Sequence, residues 1–312
     1  MEQSHSEVQE QAVTTLPAQD ERPAVVAPSV QSAATVSAQA CPTCGNAPAA
    51  NGSATASPSW VYAVGRIEAR VPSVSVEKEV VQATSRSDSK GLTDRQTLQA
   101  VLSKPENRYL ARLMCWVMTI EGLETYILVP RDPSDISLLV DALRPTPQPW
   151  DLDVVIGRKG PIAPPQMCNG LMVPIVIFDQ IYSFDRETLI KSIPRPEKTS
   201  AKEFAPAAEE LFDRIMQMTD NAGATDDYRA LNYLAMRYHA IYAKAAEYFG
   251  QNCSLTGVYV NPSALSSTRN IVEVVFAYTN RNTDVVDKCF VRVDVTDEFP
   301  FLATKLSPYY DR

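Results

Sequence analysis

The chain has 312 residues, 45% of them hydrophobic and 21% charged, with a formal net charge of −8. That is the composition of a globular protein. The acidic balance, with no Lys/Arg run longer than two residues, argues against a nucleic-acid-binding surface. The longest apolar run, from Leu171 to Phe178, is broken by Pro174 and too short to cross a membrane. Met1–Glu7 lacks the basic and apolar regions of a secretory leader, and six cysteines do not make a disulfide scaffold. A soluble, cytoplasmic protein is expected, its cysteines free or metal-bound.

Residues 1–59 are expected to be a disordered tail. Pro23 to Gly65 carries no charge and is rich in Ala, Ser and Pro, a composition that buries too little to offset its ordering entropy. From Trp60 the composition changes, and residues 60–312 are assigned to one α+β domain. Trp60 to Arg70 reads as a strand. Ser73 precedes a helix with Glu77 and Glu79 in its early turns, and Thr93-Asp94 caps a second that stops before Pro105. A short helix follows Asn107.

Cys115–Ile120 and Glu124–Pro130 are β-branched and aromatic, and they flank Glu121-Gly122-Leu123, so a hairpin is expected. Ser134 is expected to cap a helix to about Leu143. Leu152–Gly157 and Leu171–Tyr182 read as buried strands, joined irregularly because Gly160-Pro161 and Pro164-Pro165 lie between them.

From Ala205 to Phe249 the apolar period is helical, and Asn221–Thr225 divides it into an αα-hairpin. Gly257–Val260, Ile271–Thr279 and Cys289–Val295 return to strand, with the turn of a second hairpin at Asn280–Asp284. Strands, then helices, then strands predict an α+β fold with a mixed or antiparallel sheet, β-hairpins and a central αα-hairpin. No glycine-rich phosphate loop follows any strand.

Residues able to carry chemistry are few. His5 lies in the tail, and His239, in Arg237-Tyr238-His239, is the one histidine of the domain, which argues against a Ser–His–Asp triad and a multi-histidine zinc site. His239 is either a base or metal ligand or an ordinary polar residue on a helix face. Cys41-Pro-Thr-Cys44-Gly45 is half of a zinc ribbon. The other half could come from a second chain or from the domain, or the motif is a redox pair. Cys115 and Cys168 each sit at a strand start beside a loop, able to reach a metal or to pack as small hydrophobes. Cys253 and Cys289 read as core. Asp151 with Asp153, and Asp294 with Asp297, read as solvated charges.

Several strings resemble the C-terminal domain of unknown function of PatG-type cyanobactin maturation proteins. They are Val61–Arg70, Ile120–Ile127, Ile156-Gly157 with Gly160–Pro165, Cys168–Pro174 and Leu306–Arg312. The resemblance spans residue 60 to the end. It implies a stand-alone version of an accessory domain, without the subtilisin-like protease that performs macrocyclisation in that family. It also implies zinc held by cysteines, at Cys115 and Cys168, with Cys41, Cys44 and His239 as alternatives. The expected function is therefore that of a non-catalytic, dimeric accessory domain. It would recruit a ribosomal precursor peptide or another maturation enzyme, with no nucleic-acid or membrane partner. The competing expectations are a zinc-dependent enzyme of unknown reaction and a redox or metal-relay protein using the tail cysteines.

Overall fold

A computed structural model describes residues 59–86, 90–195 and 201–310. The predicted tail, with His5, Cys41 and Cys44, lies outside the described residues.

The first strand, β1 (Trp60–Arg70), is followed by three helices, α1 (Val74–Ser85), α2 (Asp94–Leu102) and α3 (Arg108–Leu113). Their starts follow the sequence. The Ser73 hydroxyl accepts from the Val76 N–H, and Thr93 and Gln96 form a reciprocal capping box. Next come β2 (Cys115–Ile120) and β3 (Leu123–Pro130), joined by a two-residue turn in which Glu121 and Gly122 both have positive φ, 51° and 84°. That conformation matches the twist of a tight hairpin and favours glycine at its second position.

Helix α4 (Ile136–Ala142) starts one residue later than expected. The Asp132 carboxylate accepts from both the N–H and the hydroxyl of Ser134, so the cap is Asp132, ahead of a 3-10 turn, and Ser134 is its donor. Strand β4 (Asp151–Ile162) runs through Gly160-Pro161, where a break was expected. It does so by shifting register against β5 (Pro174–Asp185) between Lys159 and Ile162, an irregularity that tolerates the proline's missing donor. Residues 171–173 belong to the preceding loop, not to the strand.

Strands β1 to β5 close a barrel in the order β1-β2-β3-β5-β4, with β3 and β5 parallel and the other pairs antiparallel. This five-stranded closed barrel is an architecture shared with OB-folds. Val61, Ala63 and Ile67 of β1 and Val155 of β4 belong to one core with α1–α4. Their neighbours Tyr62, Val64, Val154 and Ile156 belong to a second core with the helices that follow. Burial of both strand faces explains the unbroken apolar run at Val61–Val64.

After α5 (Arg186–Ser192) the helical stretch is three helices, α6 (Ala201–Met218), α7 (Asp226–Arg237) and α8 (Ala240–Gly250), where an αα-hairpin was expected. The extra break is at Tyr238, which leaves helical geometry at φ −109° and ψ 86° while its N–H still bonds to the Leu234 carbonyl. The chain ends in an antiparallel sheet of β6 (Cys253–Pro262), β7 (Ile271–Asn280), β8 (Val286–Asp294) and β9 (Phe301–Pro308), in that order. The last strand was not anticipated. Its Phe-Leu-Ala-Thr-Lys-Leu pattern is half-exposed, so its apolar signal is weak. Helices α6–α8 share one apolar core with the outer face of β1 and β4 and with β6–β8.

Candidate functional site

A cleft of about 480 Å³ opens where the barrel meets α7 and the β8–β9 connection. Tyr62, Ile156 and Tyr182 form its barrel wall. Tyr62 lies directly across from Ile156 in the β1–β4 ladder, and Tyr182 pairs with Val154 one step along, so all three project from the same face. Tyr233, Arg237 and His239 come from α7 and the α7–α8 junction, and Phe299 and Pro300 close the far side.

Each wall is held by buried polar groups. On β1, the Tyr62 N–H donates to Gly223 O at 3.1 Å, and the Val64 N–H donates to Asn221 O at 2.8 Å. The Asn232 side chain, fully buried on α7, donates to Tyr62 O at 2.8 Å. Gly223 sits at φ +56°, where a Cβ would lie 1.9 Å from Tyr62 O, so no other residue lets the α6–α7 connection approach β1 this closely.

Arg229, 2% exposed, secures the opposite wall. Its guanidinium donates to the carbonyls of Val295 at 2.8 Å, Glu298 at 3.1 Å and Asp297, and pairs with Asp226 at 3.2 Å. These bonds fix the turn that delivers Phe299 and Pro300. Glu298 also meets Asp179 of β5 through a side-chain hydrogen bond.

Inside the cleft, the Tyr62 and Tyr233 rings meet edge to face at 6.3 Å, and the Arg237 guanidinium lies 5.1 Å above the Tyr182 ring. The Tyr62 hydroxyl is buried and has no hydrogen-bond partner among the described residues. Burial raises its pKa, and Arg237 partly opposes this. The charges it feels are those of Arg237, Tyr182 and Tyr233, all in the same lining. Burial also raises the pKa of Tyr233, against Arg237 and a bond from the Leu302 N–H. No carboxylate among the described residues forms an ion pair with Arg237.

The cleft contains one residue singled out in the sequence. His239 is not inside a long helix but at the first position before α8, with no capping bond from its side chain. Tyr62, Tyr182, Tyr233 and Arg237 were missed as site residues. The available signal was Tyr62, a phenol in the middle of a buried strand, and Arg237 beside His239.

Cys115 and Cys168 are brought together, as a disulfide with a Cα–Cα distance of 5.7 Å. Among the described residues no group of three His, Cys, Asp or Glu side chains is placed to hold a metal ion. As thiolates the pair would fit two of the four ligands of a tetrahedral zinc site, and no more. Cys253 and Cys289 are buried and free. Burial pushes the Cys289 thiol up to about 12, which leaves it protonated and unreactive.

Asp151, Asp153 and Asp294 are buried rather than solvated, and Asp297 is exposed as expected. Asp153, 1% exposed, accepts from Ser183 at 2.7 Å and from the Ile67 N–H at 2.8 Å, and lies 3.3 Å from Arg144, which also reaches Asp151. Asp294 pairs with Arg269 at 2.6 Å.

Fold and cleft together define an α+β protein in which a small barrel and a helix-backed sheet share one ring-lined opening. Residues 198–309 match the family described as PatG C-terminal. A solved structure described as "PatG Domain of Unknown Function" superposes with a TM-score of 0.67 at 17% identity, covering 81% of this chain and 99% of that one. At that identity the likeness is one of fold. The chain thus resembles a PatG C-terminal domain in sequence over residues 198–309, and over the barrel the likeness is one of fold. No curated protein matches the sequence.

Proposed function

We propose that this protein is a non-catalytic accessory domain of ribosomal-peptide maturation of the cyanobactin type, which recruits a precursor peptide or a maturation enzyme. The lining of the cleft carries this reading. It presents aromatic rings, hydroxyls and a guanidinium, groups that bind rather than transform. An imidazole acting as a base is normally oriented by a hydrogen-bonded partner, and His239 has none among the described residues. The test is to mix the full chain with a cyanobactin-type precursor peptide, measuring binding by calorimetry and peptide mass over hours. Binding at unchanged mass is expected. A cleavage or a loss of water from the peptide would make the protein an enzyme and refute the reading.

The same reading includes a homodimer that holds zinc when reduced. Cys168 lies in the β4–β5 connection, along which Ile162, Met167 and Met172 are exposed, an apolar surface suited to a second copy. A dithiol reductant, supplying two electrons and two protons, converts the disulfide to two thiols. Two chains would then supply the four cysteine ligands of a closed zinc site, which serves structure rather than reaction. Elemental analysis of the reduced protein should find one zinc for each pair of chains, lost in Cys115→Ser. Monomers without zinc on light scattering would remove both dimer and metal from the proposal.

A further inference from the structure

We infer that the cleft between the barrel and α7 binds an organic carboxylate attached to an aromatic or branched apolar body, the size of one or two amino-acid residues. This deepens the binding reading above and rests on it. The charge of the lining selects the ligand's sign. Arg237 and His239 are its ionisable basic groups, and it contains no Asp or Glu. Stacking on Tyr182 holds the Arg237 guanidinium plane without using its N–H fork, and the fork is the geometry that matches a carboxylate bidentately. Arg237 is exposed and makes no ion pair among the described residues, so it meets a ligand without breaking an internal bond.

The remaining lining selects the body. Tyr62, Tyr182, Tyr233 and Phe299 offer ring faces and edges, with Ile156 and Pro300 between them. A volume of about 480 Å³ accommodates a group of this size and excludes a folded partner. The Tyr62 hydroxyl behind this lining is buried and has no partner among the described residues, which leaves an unsatisfied polar group in the barrel wall. Two sources share this chemistry: the free C-terminus of a peptide and a small aromatic acid.

The test is calorimetric titration of the full chain with N-acetyl-phenylalanine, its C-terminal amide, benzoate, an octapeptide ending in phenylalanine, and inorganic phosphate. The acid is expected to bind about tenfold more tightly than the amide, the effect of one charged contact. Arg237→Met, at an exposed position that leaves the fold intact by melting temperature, should erase that difference. Tyr182→Ala should reduce it by freeing the guanidinium. An octapeptide tighter than the single residue would identify a peptide terminus as the source, and benzoate binding as well as either would identify a free acid. Acid and amide binding alike, or a difference that survives Arg237→Met, would overturn the carboxylate assignment while leaving a binding cleft. Phosphate binding in place of the organic acids would overturn it in favour of a phosphate site, and no binding by any probe would overturn it outright.

Discussion

The barrel and the sheet meet the same difficulty, unpaired strand edges, by different means. The barrel strands bond around a complete ring, so each has two neighbours. The sheet stops at β6 and β9, and its stability depends on the helices packed against one face. The barrel adds a covalent tie, Cys115–Cys168, between β2 and the β4–β5 connection, and the sheet relies on one buried arginine. The family match at 198–309 lies in the helix-and-sheet region, and the likeness of fold extends over the barrel as well. The difference teaches that the cleft is a joint between a self-contained wall and a dependent one. Its geometry should fail from the sheet side first.

Removing Arg229 tests that claim most severely. Arg229→Met strands the carbonyls it now satisfies and should cost about 4 kcal/mol, lowering Tm by roughly 8–16 °C. Hydrogen exchange should rise in β8, β9 and Phe299 before it rises in β1 or β4. Equal loosening of both regions would show that they fold as one unit and dissolve the comparison. On the barrel side, reducing the disulfide, whose cysteines are 53 residues apart, should cost about 3 kcal/mol by restoring loop entropy to the unfolded chain. Here the exchange should rise around β2 and the β4–β5 connection and leave β6–β9 unchanged.

Gly223→Ala acts at the joint itself. The added methyl meets Tyr62 O, so the connection must withdraw from β1 and the bonds at Tyr62 and Val64 must lengthen, at a cost of about 2 kcal/mol. Amide exchange at Tyr62 and Val64 reads this directly, and an unchanged rate would mean that the connection is not needed to hold the wall.

The smallest effect is one of pH. Burial, then the hydrogen bond and charge of Asp179, push the Glu298 carboxyl from 4.5 up to about 7. Asp179 is shifted the other way: burial opposes its charge, but bonds from Glu298 and Arg131 outweigh burial and keep it low. A carboxyl raised in the folded state binds a proton that the unfolded chain has released. Its contribution to stability is therefore complete below about pH 4.5 and is lost as pH rises through about 7. Between about pH 5 and 8 only Glu298 of the pair titrates, and Tm should fall by roughly 2–4 °C. Glu298→Gln should flatten that slope. A slope unchanged in the variant would place the titrating group elsewhere.

Much of this molecule is set locally and was legible without coordinates. The caps at Ser73 and Thr93, the hairpin turned at Gly122 and the strand opening at Trp60 depend on residues within a few positions of one another. The α+β class follows from the order of such elements. Where expectation and structure part, a distant neighbour intervenes. The β4 strand survives Gly160-Pro161 because β5 pairs with it across a register shift. Tyr238 divides the helical stretch and accepts from the Leu306 N–H of β9 through its hydroxyl. The barrel closes because β1 meets β4 and β3 meets β5, pairings that no periodicity encodes. Of the cleft, His239 was visible as a scarce residue type, and Tyr62, Tyr182, Tyr233 and Arg237 were not. They are ordinary residues of separate elements, and folding makes them neighbours. By itself the sequence determined most of the elements, because caps, turns and apolar periods act over single turns and adjacent residues. Only the tertiary structure decided the barrel, the Cys115–Cys168 pair and the cleft, because each is a meeting of chain segments far apart in sequence.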